Sequence, residues 1–183
     1  MKLLLAFTVL FCLESSADPI RVAVLDTGFG PSHFEPNLCN FGHKDLTGVN
    51  MVTSLYNTKT PVPIDQHGHG TDMVELIQRQ LVGFTKDDYC LVIIKYYSTD
   101  EVHPNANFYN ELNSLRYIKN ITPDVVNISG GGPTSDLHEA IVVKDILDNG
   151  TKIVASAGNE SKLLSHLFIP LIPIMRYYPA MYD

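Results

Sequence analysis

The sequence predicts an α/β fold, a doubly wound and mostly parallel sheet with helices on both faces, and three observations carry that prediction. Short β-rich runs that are apolar on both faces recur along the chain, as do strands buried on both sides of a parallel sheet. Amphipathic segments of ten or more residues lie between them, long enough to serve as the crossovers that parallel neighbours need. Several of the apolar runs end in a turn rich in Gly, Asn or Asp, so polar groups collect where loops leave the strands. The composition is ordinary for a globular chain, with 45% of the 183 residues hydrophobic and 18% charged. Asp and Glu number 20 against 13 Lys and Arg, a net charge of −7 without basic clusters, which argues against nucleic acid and anionic membranes as partners. No apolar run reaches the roughly 18–20 residues of a membrane-spanning helix.

The chain opens with Lys2, an apolar run from Leu3 to Leu13, and the small residues Ser15, Ser16 and Ala17. That run is too short to span a bilayer, and the pattern predicts a secretory signal peptide over residues 1–17, cleaved after Ala17. Cys12 leaves with it, and bulky Phe11 just before it does not suit lipid attachment. A secreted or periplasmic location follows, with residues 18–183 as one domain of ordinary size. Two cysteines remain, Cys39 and Cys90, which either pair as one disulfide or stay as two buried thiols. Their spacing gives no metal signature, because structural zinc sites use closely spaced pairs.

Ile20 to Leu25 reads as the first buried strand, closed by the turn Asp26-Thr27-Gly28. The polar, Gly/Pro/Asn-rich stretch from Phe29 to Asp65 reads as surface loops, with a short strand near Val49–Val52. Thr71 to Leu81 carries Met73, Leu76, Ile77 and Leu81 at helical spacing and closes at Gly83. Cys90 to Ile94 is the next strand. Phe108, Leu112, Leu115 and Ile118 mark a second helix, stopped before Pro123. Asp124 to Ser129 is a strand running into Gly130-Gly131-Gly132. Asp136 and Glu139 form a capping-box pattern for a third helix, whose apolar face reads as Leu137, Ala140, Ile141, Val143, Ile146 and Leu147 and which Gly150 ends. Lys152 to Ala157 is the last strand.

Four polar clusters fall at strand ends: Asp26-Thr27-Gly28, His67-Gly68-His69-Gly70-Thr71, Asn127-Ile128-Ser129-Gly130-Gly131 and Ala157-Gly158-Asn159-Glu160. Singly, each is an ordinary turn or helix cap. Together, in this order in one sheet, they point to a site at its carboxyl rim.

In these segments the chain resembles the subtilisin-like serine proteases, the subtilases, from about Val22 to Asn159. Val22 to Gly28 resembles the aspartate motif of that family and Gly68-His69-Gly70-Thr71 its histidine motif. Val126 to Gly131 resembles its substrate-binding strand, and Val154 to Glu160 the segment that ends in the oxyanion asparagine. The resemblance implies peptide-bond hydrolysis through an acyl-enzyme, with a protein or peptide substrate. His69 would be the general base, Asp26 would fix its tautomer, and Asn159 would donate to the oxyanion. Ser129, Gly130 and Gly131 would present an edge on which substrate backbone pairs, and Ala157 and Gly158 would line the pocket for the residue before the scissile bond. His67 is a competing base, read instead as a solvent-facing loop residue. No metal or other cofactor is implied beyond the calcium that family members often bind, for which no ligands are identified.

The sequence departs from the family in one decisive respect. Its two Gly-Thr pairs, Gly70-Thr71 and Gly150-Thr151, are followed by Asp72 and Lys152, so no Gly-Thr-Ser nucleophile motif is present. The expectation is a catalytic domain truncated before its serine, incomplete at the C-terminus and inactive as given. The alternative is a non-catalytic peptide-binding pseudoprotease, or a non-functional truncated product. Asp72 and Glu75 stand where the family has apolar and small residues, and Glu75 puts the close approach of that helix to the sheet in question. Leu163-Leu164 and Leu167 to Ile174 are strongly apolar and would either partly cover one side of the sheet or aggregate. Two rivals fit less well. His67 and His69 with Asp65 and Asp72 resemble the cluster of metallo-β-lactamase-like enzymes, but Asp72 lies one residue too far along. Leu25 to Gly28 matches the aspartic-protease motif, which must occur twice to share a proton.

Overall fold

The computed structural model describes residues 18–99, 105–159, 163–164, 174–175, 178–180 and 182. The expected signal peptide, Glu160 and most of the apolar stretch 163–174 lie outside these residues. The elements are β1 (Ile20–Asp26), β2 (Lys44–Asp45), β3 (Val52–Thr53), β4 (Val62–Pro63), α1 (His69–Gln80), β5 (Tyr89–Lys95), α2 (Ala106–Ile121), β6 (Val125–Ile128), α3 (Leu137–Asp148) and β7 (Lys152–Ala155), with a small parallel pair, β8 (Leu163–Leu164) and β9 (Ile174–Met175).

Five strands form one parallel sheet in the order β2-β5-β1-β6-β7. The chain leaves β1 to build β5 on one side and then crosses to build β6 on the other. Strand order therefore reverses around β1, and the carboxyl end of β1 is the topological switch point at which crevices open in such sheets. Asp26 is the last residue of that strand.

Alternation along the strands sends successive side chains to opposite faces. Val24, Leu91 and Ile93 meet Val74 of α1 on one face, with Met73, Ile77 and Leu81 packed alongside. Leu25, Val92, Ile94 and Val126 meet Leu112, Leu115 and Ile118 of α2 and Val142, Val143 and Ile146 of α3 on the other. Every residue of β5 is buried, as its continuous apolar run requires.

Several sequence expectations need correction. The strand expected near Val49–Val52 is Val52–Thr53, paired with Val62–Pro63 outside the main sheet, whereas the unforeseen β2 joins its edge. α1 begins two residues before Thr71, and its buried residues are Gly70 and Val74, not Leu76, which is exposed. The face of α3 is also rotated from the expected one: Glu139, Val142, Val143 and Ile146 are buried, while Leu137 is 72% exposed and Ile141 and Leu147 are exposed too. The reason is that α3 packs against α2 more than against the sheet, which turns its contact face away from the plainest apolar stripe. Its capping box is half formed. Asp136 accepts from the His138 and Glu139 amides, but the Asp136 N–H donates to the Tyr182 hydroxyl at 2.8 Å instead of to Glu139. β7 ends at Ala155, two residues short of Ala157. Of the two states open to Cys39 and Cys90, the structure shows the disulfide.

Candidate active site

Asp26 closes β1 with its side chain 4% exposed, and His69 opens α1 with its side chain 43% exposed. Nδ1 of His69 lies 2.8 Å from Asp26 Oδ1 and 3.0 Å from Oδ2. An ionised carboxylate only accepts hydrogen bonds, so Nδ1 carries the proton and Nε2 is left as a basic lone pair. The Thr27 amide donates to the same Oδ1 at 2.8 Å, which fixes the carboxylate from its other side. The close approach of α1 to the turn after β1 depends on Gly70, because a Cβ there would collide with the Gly28 carbonyl oxygen. Glu75 does not obstruct it: its carboxylate turns aside to accept from Ser32 Oγ at 2.6 Å and from Arg79 at 3.2 Å. That answers the doubt raised by its size.

A cleft of about 680 Å³ opens beside the pair. Asp26, His67 and His69 line one part of its wall and Ser129, Gly130 and Gly131 another. The His67 ring is exposed, yet it stands edge-on to His69 and Tyr97 at 6.3 and 6.1 Å between centroids, so it belongs to the cleft wall. The Ser129–Gly131 segment is less open than its small residues suggest. The Tyr96 hydroxyl lies against Gly130 where a Cβ would be, and the Gly130 carbonyl accepts from Ser156 Oγ at 2.9 Å. Gly132 then pairs with Tyr178 through two backbone hydrogen bonds. Ala157, Gly158 and Asn159 follow β7, which runs parallel to β6 with Ile128 opposite Ala155. They share the carboxyl rim of the sheet but are not among the residues that line this cleft.

Acidic residues from the helices also line the cleft, Glu111 in the second turn of α2 and Glu139 in the first turn of α3. Glu111 is 8% exposed, and among the described residues its Oε1 has no hydrogen-bond partner. Burial, and then the charge of Glu139, pushes its carboxyl up to about 8. Burial also raises Glu139, against a 2.7 Å hydrogen bond donated by the Tyr182 hydroxyl.

Comparison with known proteins names the family. A sequence model described as the subtilase family matches residues 18–182. The chain belongs to the subtilase family. This subtilase is 30% identical over 147 residues to the major intracellular serine protease of Bacillus subtilis (strain 168), a match covering 77% of this chain and 43% of that protein. It resembles the crystal structure of MycP1 with the N-terminal propeptide removed at a TM-score of 0.55 and 20% identity, over 91% of this chain and 54% of that one. The epidermin leader peptide processing serine protease of Staphylococcus aureus gives a TM-score of 0.55 at 17% identity, over 78% of this chain and 38% of that one. These structures share its mostly parallel α/β fold. The subtilase chain spans about half or less of the length of these relatives.

Sequence reasoning missed Tyr96, Glu111 and Glu139 as parts of this subtilase cleft. Tyr96 follows a buried strand and the two glutamates sit in helices, where polar residues ordinarily face water. Only the step from strand β5 to a carboxyl-rim position could have drawn attention to Tyr96.

Proposed function

We propose that this chain is the part of a subtilisin-type serine endopeptidase domain that carries the base, its aspartate and the oxyanion asparagine. The observation that carries this reading is the 2.8 Å contact of His69 Nδ1 with buried Asp26, at the rim of a cleft walled by Ser129–Gly131. In the full reaction His69 Nε2 would take the proton of an attacking serine hydroxyl and return it to the leaving amine, with Asp26 stabilising the imidazolium between the two steps. The substrate is a protein or peptide that lies extended along Ser129–Gly131. Ala157 and Gly158 border the residue before the scissile bond, and Asn159 donates to the oxyanion. Residues 18–183 form this part of the domain and residues 1–17 a signal peptide, which places the protein in the secreted or periplasmic space; the Cys39–Cys90 disulfide supports export.

The 183 residues contain no Gly-Thr-Ser segment, so this stretch of chain does not form an acyl-enzyme by itself. What it retains is peptide binding. Two measurements test the reading. A fluorophosphonate probe should leave the 183-residue chain unlabelled, and labelling contradicts the missing nucleophile. Titration with an extended hexapeptide of small residues should move the amide resonances of Ser129 to Gly132. Shifts confined to other surfaces contradict the proposed cleft.

A further inference from the structure

We propose that Asp65 is a positioning residue for the Asp26–His69 pair: its carboxylate clamps the turn after β1 to the first turn of α1 and so sets where the imidazole stands. The inference rests on the reading of that pair given under Proposed function.

Asp65 lies in the loop between β4 and α1. Its Oδ1 accepts from Thr27 Oγ1, from the His67 amide and from the Gly68 amide, each at 2.9 Å. Its Oδ2 accepts from the Thr71 amide at 2.9 Å and from Thr71 Oγ1 at 2.7 Å. Both hydroxyls pass the constraint on. Thr27 Oγ1 accepts from the Gly70 amide at 2.8 Å, and Thr71 Oγ1 from the Gly30 amide at 3.0 Å. One carboxylate is thus joined to the residue directly after Asp26 and to residues on both sides of His69.

The helix has no alternative device for this. Its N-cap is Gly68 in the left-handed conformation, with no side-chain cap of its own, so the amides of its first turn rely on acceptors from outside the helix. Only a carboxylate can serve these donors together, since an amide in its place would point N–H at the Thr71 N–H. Burial pushes the Asp65 carboxyl up, but the hydrogen bonds from Thr71, Gly68 and His67 prevail and hold it at about 2. The same bonds occupy the lone pairs that a metal would need, which removes Asp65 from the metal cluster weighed in the sequence.

The clamp is itself anchored. Lys95, 1% exposed at the end of β5, donates from Nζ to the Ile64 carbonyl at 2.9 Å and to Gln66 Oε1 at 3.2 Å, the residues on either side of Asp65. The Asp65 amide donates to the Phe29 carbonyl at 3.2 Å. Gly28, at φ +112°, leaves no room for a Cβ against this backbone.

Proton NMR of the 183-residue chain reads the outcome, because an imidazole N–H held against a buried carboxylate is strongly deshielded and exchanges slowly with water. The wild-type chain should show such a resonance from His69 Nδ1–H, and Asp26→Asn should shift it upfield. In Asp65→Asn, with Asp26 intact, the proposal expects that resonance to be lost while the amide spectrum remains that of a folded chain. A resonance unchanged in folded Asp65→Asn overturns the proposal and leaves the pair standing. Its absence from the wild-type chain overturns the pair, and the proposal with it. Should Asp65→Asn not fold, Thr27→Val cuts the link to Asp65 while keeping a β-branched side chain; it should lose the same resonance, and persistence there overturns the proposal.

Discussion

Gly70 shows how one missing methyl can decide the geometry of a site. It stands in the first turn of α1, one residue after His69, with the Gly28 carbonyl where its Cβ would be. Alanine has the better helix propensity by about 1 kcal/mol, yet here it would push α1 away from the turn after β1. Gly70→Ala should therefore lower stability, by roughly 1–3 kcal/mol as overpacked sites do, and lengthen the Asp26–His69 contact. Urea unfolding measures the first effect; a variant as stable as wild type would mean that the helix can shift without cost. Asp26 and His69 were legible in the sequence because each lies in a short local motif whose residue types fit its place in the strand or helix. Asp65 and Lys95 were not, because their partners are backbone groups brought to them only by folding, and no local pattern encodes those. Glu111 and Glu139 were hidden for the same reason.

At the scale of elements, the edge of the sheet beside β5 is made as much by a loop as by a strand. Leu38 bridges to Leu91 and β2 pairs at Ile94, and His43 fills the interval between them. The Ile93 amide donates to His43 Nδ1 at 3.0 Å, and His43 Nε2 donates to the Cys39 carbonyl at 2.8 Å. The Cys39–Cys90 disulfide ties the same loop to β5 across a separation of 51 residues. In the chain-entropy picture, closing a loop of that size stabilises by about 4 kcal/mol, and measured values run about 2–4 kcal/mol. Replacing both cysteines by alanine should cost that much, read as a lower unfolding midpoint that added reductant no longer changes. Sequence spacing left the pairing open because two cysteines far apart carry no register, and only the parallel placement of loop and strand brings them together. The order of strands and helices was legible because each repeats its own hydrophobic period. The contact face of α3 was not: neighbouring apolar stripes on a helix differ little, and the packing of α3 on α2 decides between them.

Over the whole molecule, four buried or half-buried groups, Asp65, His43, Glu111 and Glu139, set how stability varies with pH. Asp65 is depressed from 3.8 to about 2, so its contribution is present above the ordinary carboxylate value and is lost as pH falls through about 2. His43 is lowered from 6.5, by burial against the opposing pull of the Cys39 carbonyl, so its contribution is present above pH 6.5 and is lost as pH falls below it. Glu111 runs the other way. Its carboxyl is raised from 4.5 to about 8 by burial and by Glu139, so the folded chain holds a proton that the unfolded chain has released. That contribution is present below pH 4.5 and is lost as pH rises through about 8. Above pH 6.5 Asp65 no longer changes and the His43 contribution levels off, so the Glu111–Glu139 pair dominates. Stability should then fall between pH 6.5 and 8 by up to about 1.4 kcal/mol per pH unit, the value for one proton. Glu111→Gln keeps the shape and removes the titration, while Asp136 and the Tyr182 hydroxyl stay in place beside Glu139. It should flatten most of that fall and leave the variant the more stable of the two at pH 8. Unfolding midpoints across this range decide the matter: the same fall in Glu111→Gln, or a rise in the wild-type chain, would show that the proton is not held on Glu111.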